Sequence, residues 1–199
     1  MPLLNFIFGA RPYVGRIFLV TNHTPYLERG LISIFTGEGK GKTSAAVGTA
    51  IRAAGHGLRV CLIFFAKGKR FDHGEFKILS SLPNVTLQSF GQAGWILKSI
   101  SEETRTQAER AFEAASAAVT GGQYDLVVMD EIMIALTAGL VTTEQVIRMI
   151  NAKPPCVELI MTGRGAPAEL IELADLVSEI KAVKHPYTRG IKARKGIDY

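Results

Sequence analysis

From Gly30 onward, apolar residues come in short unbroken runs, and the segments between the runs carry them at helical spacing. Leu31–Phe35 is the first run and predicts a buried strand. A Gly-rich stretch follows, then Lys42–His56, where Ala45, Ala46, Val47, Ala50, Ile51 and Ala54 leave small or apolar residues on nearly every face. Such a helix packs against a sheet, and Gly55 and Gly57 supply its stop signal. Arg59–Phe65 and, more weakly, Val85–Phe90 predict the next two strands. Ser99 or Ser101 then caps a helix running to about Val119, with Glu102 three residues after Ser99 as a capping box requires, and Gly121-Gly122 ends it. Leu126–Met129 is a wholly apolar strand closed by Asp130-Glu131. Thr142, with Gln145 in the capping-box position, opens a helix that ends before Pro154-Pro155. Cys156–Met161, Ala168–Ala174 and Leu176–Ile180 follow as strand, short helix and strand.

Strands alternate with helices, and the strands are continuous apolar runs, not alternating ones. This predicts an α/β fold, a mostly parallel sheet with helices on both faces. In such folds ligands sit at the carboxyl ends of the strands. The chain of 199 residues suffices for one domain with a proper core, placed at 30–199, and an extension of uncertain structure at 1–29 precedes it. Pro2, Pro12 and Pro25 prevent one long helix in that extension.

Composition narrows the function classes. An apolar fraction of 47% and a charged fraction of 21% are those of a globular chain. The net charge of +5 suits an anionic ligand, a nucleotide or a nucleic acid, but the basic residues are spread out except at Lys181–Lys195. Aromatics are 8% and are not interleaved with the basic residues, which argues against a nucleic-acid partner. The longest apolar run, Val60–Ala66, is far too short to cross a bilayer, and Arg11 and Arg16 interrupt the apolar N-terminal stretches, a poor secretory signal. A cytoplasmic protein with no membrane association is expected. Cys61 and Cys156 both lie in apolar stretches and read as small packing residues.

The segment Thr36-Gly37-Glu38-Gly39-Lys40-Gly41-Lys42-Thr43-Ser44 joins the first strand to the first helix and ends as a phosphate-binding loop does, in Gly41-Lys42-Thr43. Glycines let successive N–H groups turn toward one anion, and the helix N-terminus adds its partial positive charge. Lys42 would neutralise phosphate oxygens, and the Thr43 hydroxyl would hold Mg²⁺ or Mn²⁺. The usual pattern places glycine where this chain has Thr36; Gly37 and Gly39 offer the same freedom one step along. Asp130 and Glu131 are expected at the carboxyl end of a later strand, beside the first strand and its loop, where they would complete a metal site with Thr43. With the loop in place the fold class is P-loop NTPase-like (RecA-like).

Between Gly30 and Tyr199 the chain resembles the ATP:corrinoid adenosyltransferase family. The matching segments are Phe35 to Thr43, Arg52-Ala53-Ala54-Gly55-His56-Gly57, Met129-Asp130-Glu131, Thr162-Gly163-Arg164-Gly165, Glu172-Leu173-Ala174-Asp175, Val183-Lys184-His185-Pro186 and the ending Gly190 to Tyr199. Thr36 at the glycine position is the habit of that family. The resemblance implies that a reduced Co(I) corrinoid attacks C5′ of ATP and that inorganic triphosphate leaves, in adenosylcobalamin synthesis or salvage. ATP and the corrinoid are then both substrates.

In that chemistry Gly37, Glu38, Gly39, Lys40, Gly41, Lys42, Thr43 and Ser44 form the cradle for the nucleotide, and donors around the leaving triphosphate lower the barrier. Arg164, in a Gly-rich turn after a strand, reads as a two-pronged phosphate ligand or as a surface arginine. Arg52 reads as a nucleotide contact or as a helix-surface residue. The family presses aromatic residues on the corrin after the third strand, and Phe90 and Trp95 lie in that segment. Its better-known members carry Phe-Thr-Trp there, and this chain does not. Trp95 can serve as a corrin contact or as a core anchor. The resemblance also implies a homodimer and a reduced flavoprotein as electron donor. Residues 1–29 do not match, and the family's N-terminal segment can cover a partner's active site; a divergent lid, an appended segment and upstream sequence all remain open. Rival classes are a P-loop ATPase, a nucleotide-binding regulatory module and a small-molecule kinase.

Overall fold

The computed structural model describes residues 25–67, 73–91 and 100–199. Within these, six strands form one sheet: β1 (Ile32–Thr36), β2 (Val60–Phe64), β3 (Val85–Ser89), β4 (Leu126–Asp130), β5 (Glu158–Thr162) and β6 (Leu176–Glu179). Their order is β3-β2-β4-β5-β1-β6 and every pairing is parallel. The expected α/β, P-loop NTPase-like class is what the chain adopts.

Helices cover both faces. α1 (Lys42–Gly55) and α2 (Gly74–Leu79) lie on one, where Ala46, Val47, Ala50 and Ala54 of α1 pack on Val60, Leu62, Val128 and Ile160. The small side chains along α1 let it approach the strands closely. On the other face α3 (Glu102–Thr120), α4 (Ile132–Thr137), α5 (Thr143–Asn151) and α6 (Ala168–Leu173) cover Ile34, Cys61, Ile63, Val127, Met129, Leu159 and Met161. Successive strand residues point to opposite faces, and both faces are apolar, so the runs are unbroken. Cys61 is such a residue, and burial pushes its thiol up to about 12.

The helix starts follow local chemistry. Ser101 is the N-cap of α3 and accepts the Thr104 N–H at 3.1 Å; Ser99 lies outside the described residues. The capping box at Thr142 and Gln145 forms in full. Two short helices, α2 and α4, have no capping side chain, whereas a 3₁₀ turn at Pro186–Arg189 is capped by His185. α4 begins directly after β4 from Glu131, whose left-handed backbone (φ 62°) replaces a side-chain cap.

One expectation about the sheet is corrected. β4 does not lie beside β1, because β5 is inserted between them. From β1 the chain runs through α1 to β2, and β4 and β5 later fill the gap. The ends of β1 and β4 are therefore about 10 Å apart across two strand spacings. Within the described residues, no helix is long and apolar enough to cross a membrane.

Candidate active site

The loop from Gly37 to Gly41 leaves β1 at the carboxyl edge of the sheet and turns into α1. Thr36 fits the position where glycine is usual because it is still strand. It pairs with Glu179 of β6, and its hydroxyl accepts the Ala166 N–H at 3.4 Å. The left-handed turns come afterwards, at Gly37 and Gly41. Lys42 is buried, and its ammonium donates to the carbonyls of Gly37 and Gly39, each at 2.7 Å. Burial pulls the Lys42 pKa down, and Glu131 opposes that shift.

Thr43, the second residue of α1, spans the gap that β5 creates. Its hydroxyl donates to Asp130 Oδ2 at 3.2 Å. The other Asp130 oxygen, Oδ1, accepts the hydroxyl of Thr162 at 2.7 Å, and Thr162 Oγ1 in turn accepts the Glu131 N–H at 2.9 Å. The intervening strand thus supplies the link between the two halves of the site. The role of Thr162 depends on the strand order, which no local sequence pattern announces. Replacing it with valine should leave Asp130 Oδ1 and the Glu131 N–H short of a partner in a buried place. The expected cost is about 1–3 kcal/mol of stability in urea unfolding, with a drop in turnover from a displaced Asp130. Unchanged stability and turnover would exclude this linking role.

Glu131 is mostly buried, and its Oε2 has no hydrogen-bond partner. Burial raises its pKa, Asp130 adds to the rise, and Lys67, Lys42 and Arg164 oppose it. A hydroxyl and two adjacent carboxylates, one with a buried unpartnered oxygen, are a hard oxygen donor set of the kind Mg²⁺ takes together with substrate phosphates. The residues present therefore fit the metal.

Arg164 reaches the loop from the turn after β5, with Nη1 3.0 Å from Glu38 Oε2, both side chains being largely exposed. Lys40 pairs with Asp198, which also accepts from Arg194 Nε at 3.0 Å. The Gly39 N–H donates to Ile180 O at 2.6 Å. The segment after β6 is thus drawn over the outside of the loop, a contact that no local pattern announced. Ser44 is exposed in the first turn of α1.

Of the remaining expected residues, Arg52 lies farther off. Arg52 is exposed on the last turn of α1, about 15 Å along the axis from Lys42. Phe90 is partly buried against the core, and its N–H donates to Phe64 O at 3.0 Å. Trp95 lies outside the described residues. His185 accepts the Tyr187 N–H at 3.2 Å as cap of the 3₁₀ turn. Lys67, which the sequence pattern did not single out, is inside the site, 2.6 Å from Asp130 Oδ2.

A parallel α/β sheet with a Gly-Lys-Thr loop ahead of a buried helix, facing an Asp-Glu pair across the strand ends, places the protein in the P-loop NTPase-like class. Residues 28–199 match the model of the family described as ATP:corrinoid adenosyltransferase BtuR/CobO/CobP. The corrinoid adenosyltransferase of Escherichia coli (strain K12) is 38% identical over 173 residues, 86% of this chain and 87% of its own length. The corrinoid adenosyltransferase CobA of Salmonella typhimurium is 39% identical over the same shares, and that of Pseudomonas aeruginosa is 36% identical over 86% and 85%. The chain belongs to the ATP:corrinoid adenosyltransferase family. It is an enzyme, and its reaction is the adenosylation of a corrinoid by ATP with release of triphosphate.

Proposed function

We propose that the triphosphate of ATP lies in the loop Gly37–Ser44, with Lys42, Thr43, Glu131 and Arg164 as the residues that carry the reaction. The observation that supports this most is the convergence of Thr43 and Asp130 at 3.2 Å with the unpartnered buried oxygen of Glu131 beside Lys42. The Co(I) of the corrinoid forms a bond to C5′, the C5′–O bond breaks, and its electron pair leaves with the triphosphate. Lys42 has to exchange the carbonyls of Gly37 and Gly39 for phosphate oxygens, and a half-desolvated ammonium gains most from doing so. The loop N–H groups and the N-terminus of α1 meet the charge that develops on the leaving group. Arg164, already over the loop on Glu38, turns to the same phosphates, and Lys40 and Glu38 border them. Thr43, Asp130 and Glu131 would hold Mg²⁺ or Mn²⁺, which supplies further neutralisation of the triphosphate. No proton transfer at C5′ is required, so the reaction needs no general base.

The corrinoid approaches from the side of Phe90, the carboxyl end of β3, with Trp95 as a further aromatic contact. Arg52 acts on the nucleotide only if the substrate or a partner chain reaches the far end of α1. Residues 30–199 form the catalytic domain, which the extension 1–29 precedes. A homodimer, a reduced flavoprotein as donor of electrons to cobalt, and a cytoplasmic location complete the reading, with neither nucleic acid nor membrane as partner.

The test is anaerobic incubation with Mg·ATP and chemically reduced cob(I)alamin. Light-sensitive adenosylcobalamin and one equivalent of inorganic triphosphate are expected. Release of ADP and phosphate without corrinoid would indicate the ATPase alternative, and intact ATP with every corrinoid offered would point to a regulatory nucleotide-binding module.

A further inference from the structure

Several unusual backbone features converge on Lys67. It follows Ala66, which has φ 56° and is, with Glu131, one of two non-glycine residues of positive φ among those described. Alanine reaches that region only against steric resistance, so tertiary contacts must hold it there. One such contact is Gly91, at φ 116°, which comes so close that a Cβ on it would stand 2.9 Å from Ala66 Cα. The Lys67 N–H donates to Phe90 O at 3.0 Å, and the Ser89 hydroxyl donates to Lys67 O. The main chain is thereby anchored to the end of β3, and the side chain is laid across the end of β2. Its ammonium sits 4.9 Å above the Phe64 ring centroid, 2.6 Å from Asp130 Oδ2 and 3.4 Å from Thr43 Oγ1. The Asp130 side chain is 1% exposed and that of Lys67 16%.

Asp130 Oδ2 and Thr43 Oγ1 are two of the oxygens assigned above to the metal. Lys67 already occupies them. A divalent cation and an ammonium cannot both lie against one carboxylate oxygen without strong repulsion. The second Asp130 oxygen already accepts the Thr162 hydroxyl and faces away from Thr43 Oγ1, so Oδ2 is the oxygen for which the metal and Lys67 compete. We propose that Lys67 is a resident cation of the active site: it neutralises Asp130 in the nucleotide-free protein, yields that oxygen to the metal, and moves onto the arriving triphosphate. This rests on reading the cleft as a triphosphate and metal site. The consequence is coupling between the two ligands. The metal alone must displace an ammonium whose other nearby carboxylate, Glu131, is itself taken by the metal; with the triphosphate present, the displaced ammonium gains a phosphate partner. Each ligand then strengthens binding of the other. Lys67 touches substrate in the loaded enzyme and is in that sense a further catalytic residue.

The experiment measures Mn²⁺ binding to the nucleotide-free protein by electron paramagnetic resonance, and ATP binding in EDTA by calorimetry, with no corrinoid present. Lys67→Met should bind Mn²⁺ at least about tenfold more tightly than the parent, a factor worth ~1.4 kcal/mol, and should bind metal-free ATP more weakly by a similar factor. Lys67→Arg, which keeps the charge, should suppress Mn²⁺ binding as the parent does. Lys67→Gln carries the same expectation as methionine and replaces it if methionine prevents folding, judged by circular dichroism. Mn²⁺ affinity unchanged in the uncharged variant overturns the proposal. Tighter Mn²⁺ binding with unaltered ATP binding overturns the transfer to triphosphate. If Asp130→Asn binds Mn²⁺ with ATP as well as the parent does, the metal lies elsewhere and the reading of the site itself fails. If that variant loses the metal while Lys67→Met is unchanged, only the role of Lys67 falls.

Discussion

Replacing Lys42 with alanine is expected to lower kcat/KM by on the order of 10²- to 10³-fold with the fold preserved. The ammonium is held at the loop by the backbone carbonyls of Gly37 and Gly39, each at 2.7 Å. Burial strips hydration from it, which also pulls its pKa down, so an incoming polyanion meets a cation with little water to strip away. Most of the loss should fall on kcat, since charge on the triphosphate is greatest as the C5′–O bond breaks. The N-terminus of α1 remains, so ATP should still bind, though less tightly. Single-turnover formation of adenosylcobalamin, with circular dichroism as a check of folding, reads the effect. Turnover within a few-fold of the parent would move the triphosphate away from Lys42.

The largest effect on stability is expected at Gly30. An added Cβ would stand 2.2 Å from both the carbonyl carbon and the oxygen of Val157 and 2.4 Å from the Glu158 nitrogen. All three are backbone atoms and cannot rotate aside as a side chain could. Relief would require β1 to draw away from β5, whose register pairs Ile32 with Leu159 and Ile34 with Met161, and would break the Gly30 N–H bond to Pro155 O at 2.7 Å. Gly30→Ala should therefore lose about 3 kcal/mol or more in urea unfolding. The phosphate loop leaves from the other end of β1, so activity should fall along with stability. An alanine variant as stable as the parent would exclude so close an approach of these two chain segments.

Sheet, loop and acidic pair were legible because their causes are local. Unbroken runs such as Val60–Phe65 and Leu126–Met129 can be satisfied only by strands covered on both faces, and both proved to be so. Thr142 and Gln145 cap each other within one turn, so the start of α5 needed no tertiary information. α4 was not legible: Ile132–Thr137 has no capping side chain, and its apolar residues merge with those of β4. α2, at six residues, is too short to display a period.

The site divided along the same line. Gly41-Lys42-Thr43 and Asp130-Glu131 could be read from the chain, because a phosphate loop and a strand-end carboxylate pair are each set by a few consecutive residues. Their relation could not. Adjacency of β1 and β4 was the simplest expectation, and the inserted β5 overturned it. Thr162, which joins Asp130 to Glu131, therefore came into view only with the strand order known. Lys67 and Asp198 reach their partners across 63 and 158 positions of chain. Hydrophobic periodicity and capping act over a few residues and leave their mark in the order of amino acids. Strand order and the meeting of distant side chains follow from how all the covered faces pack at once, and only the folded molecule decides them.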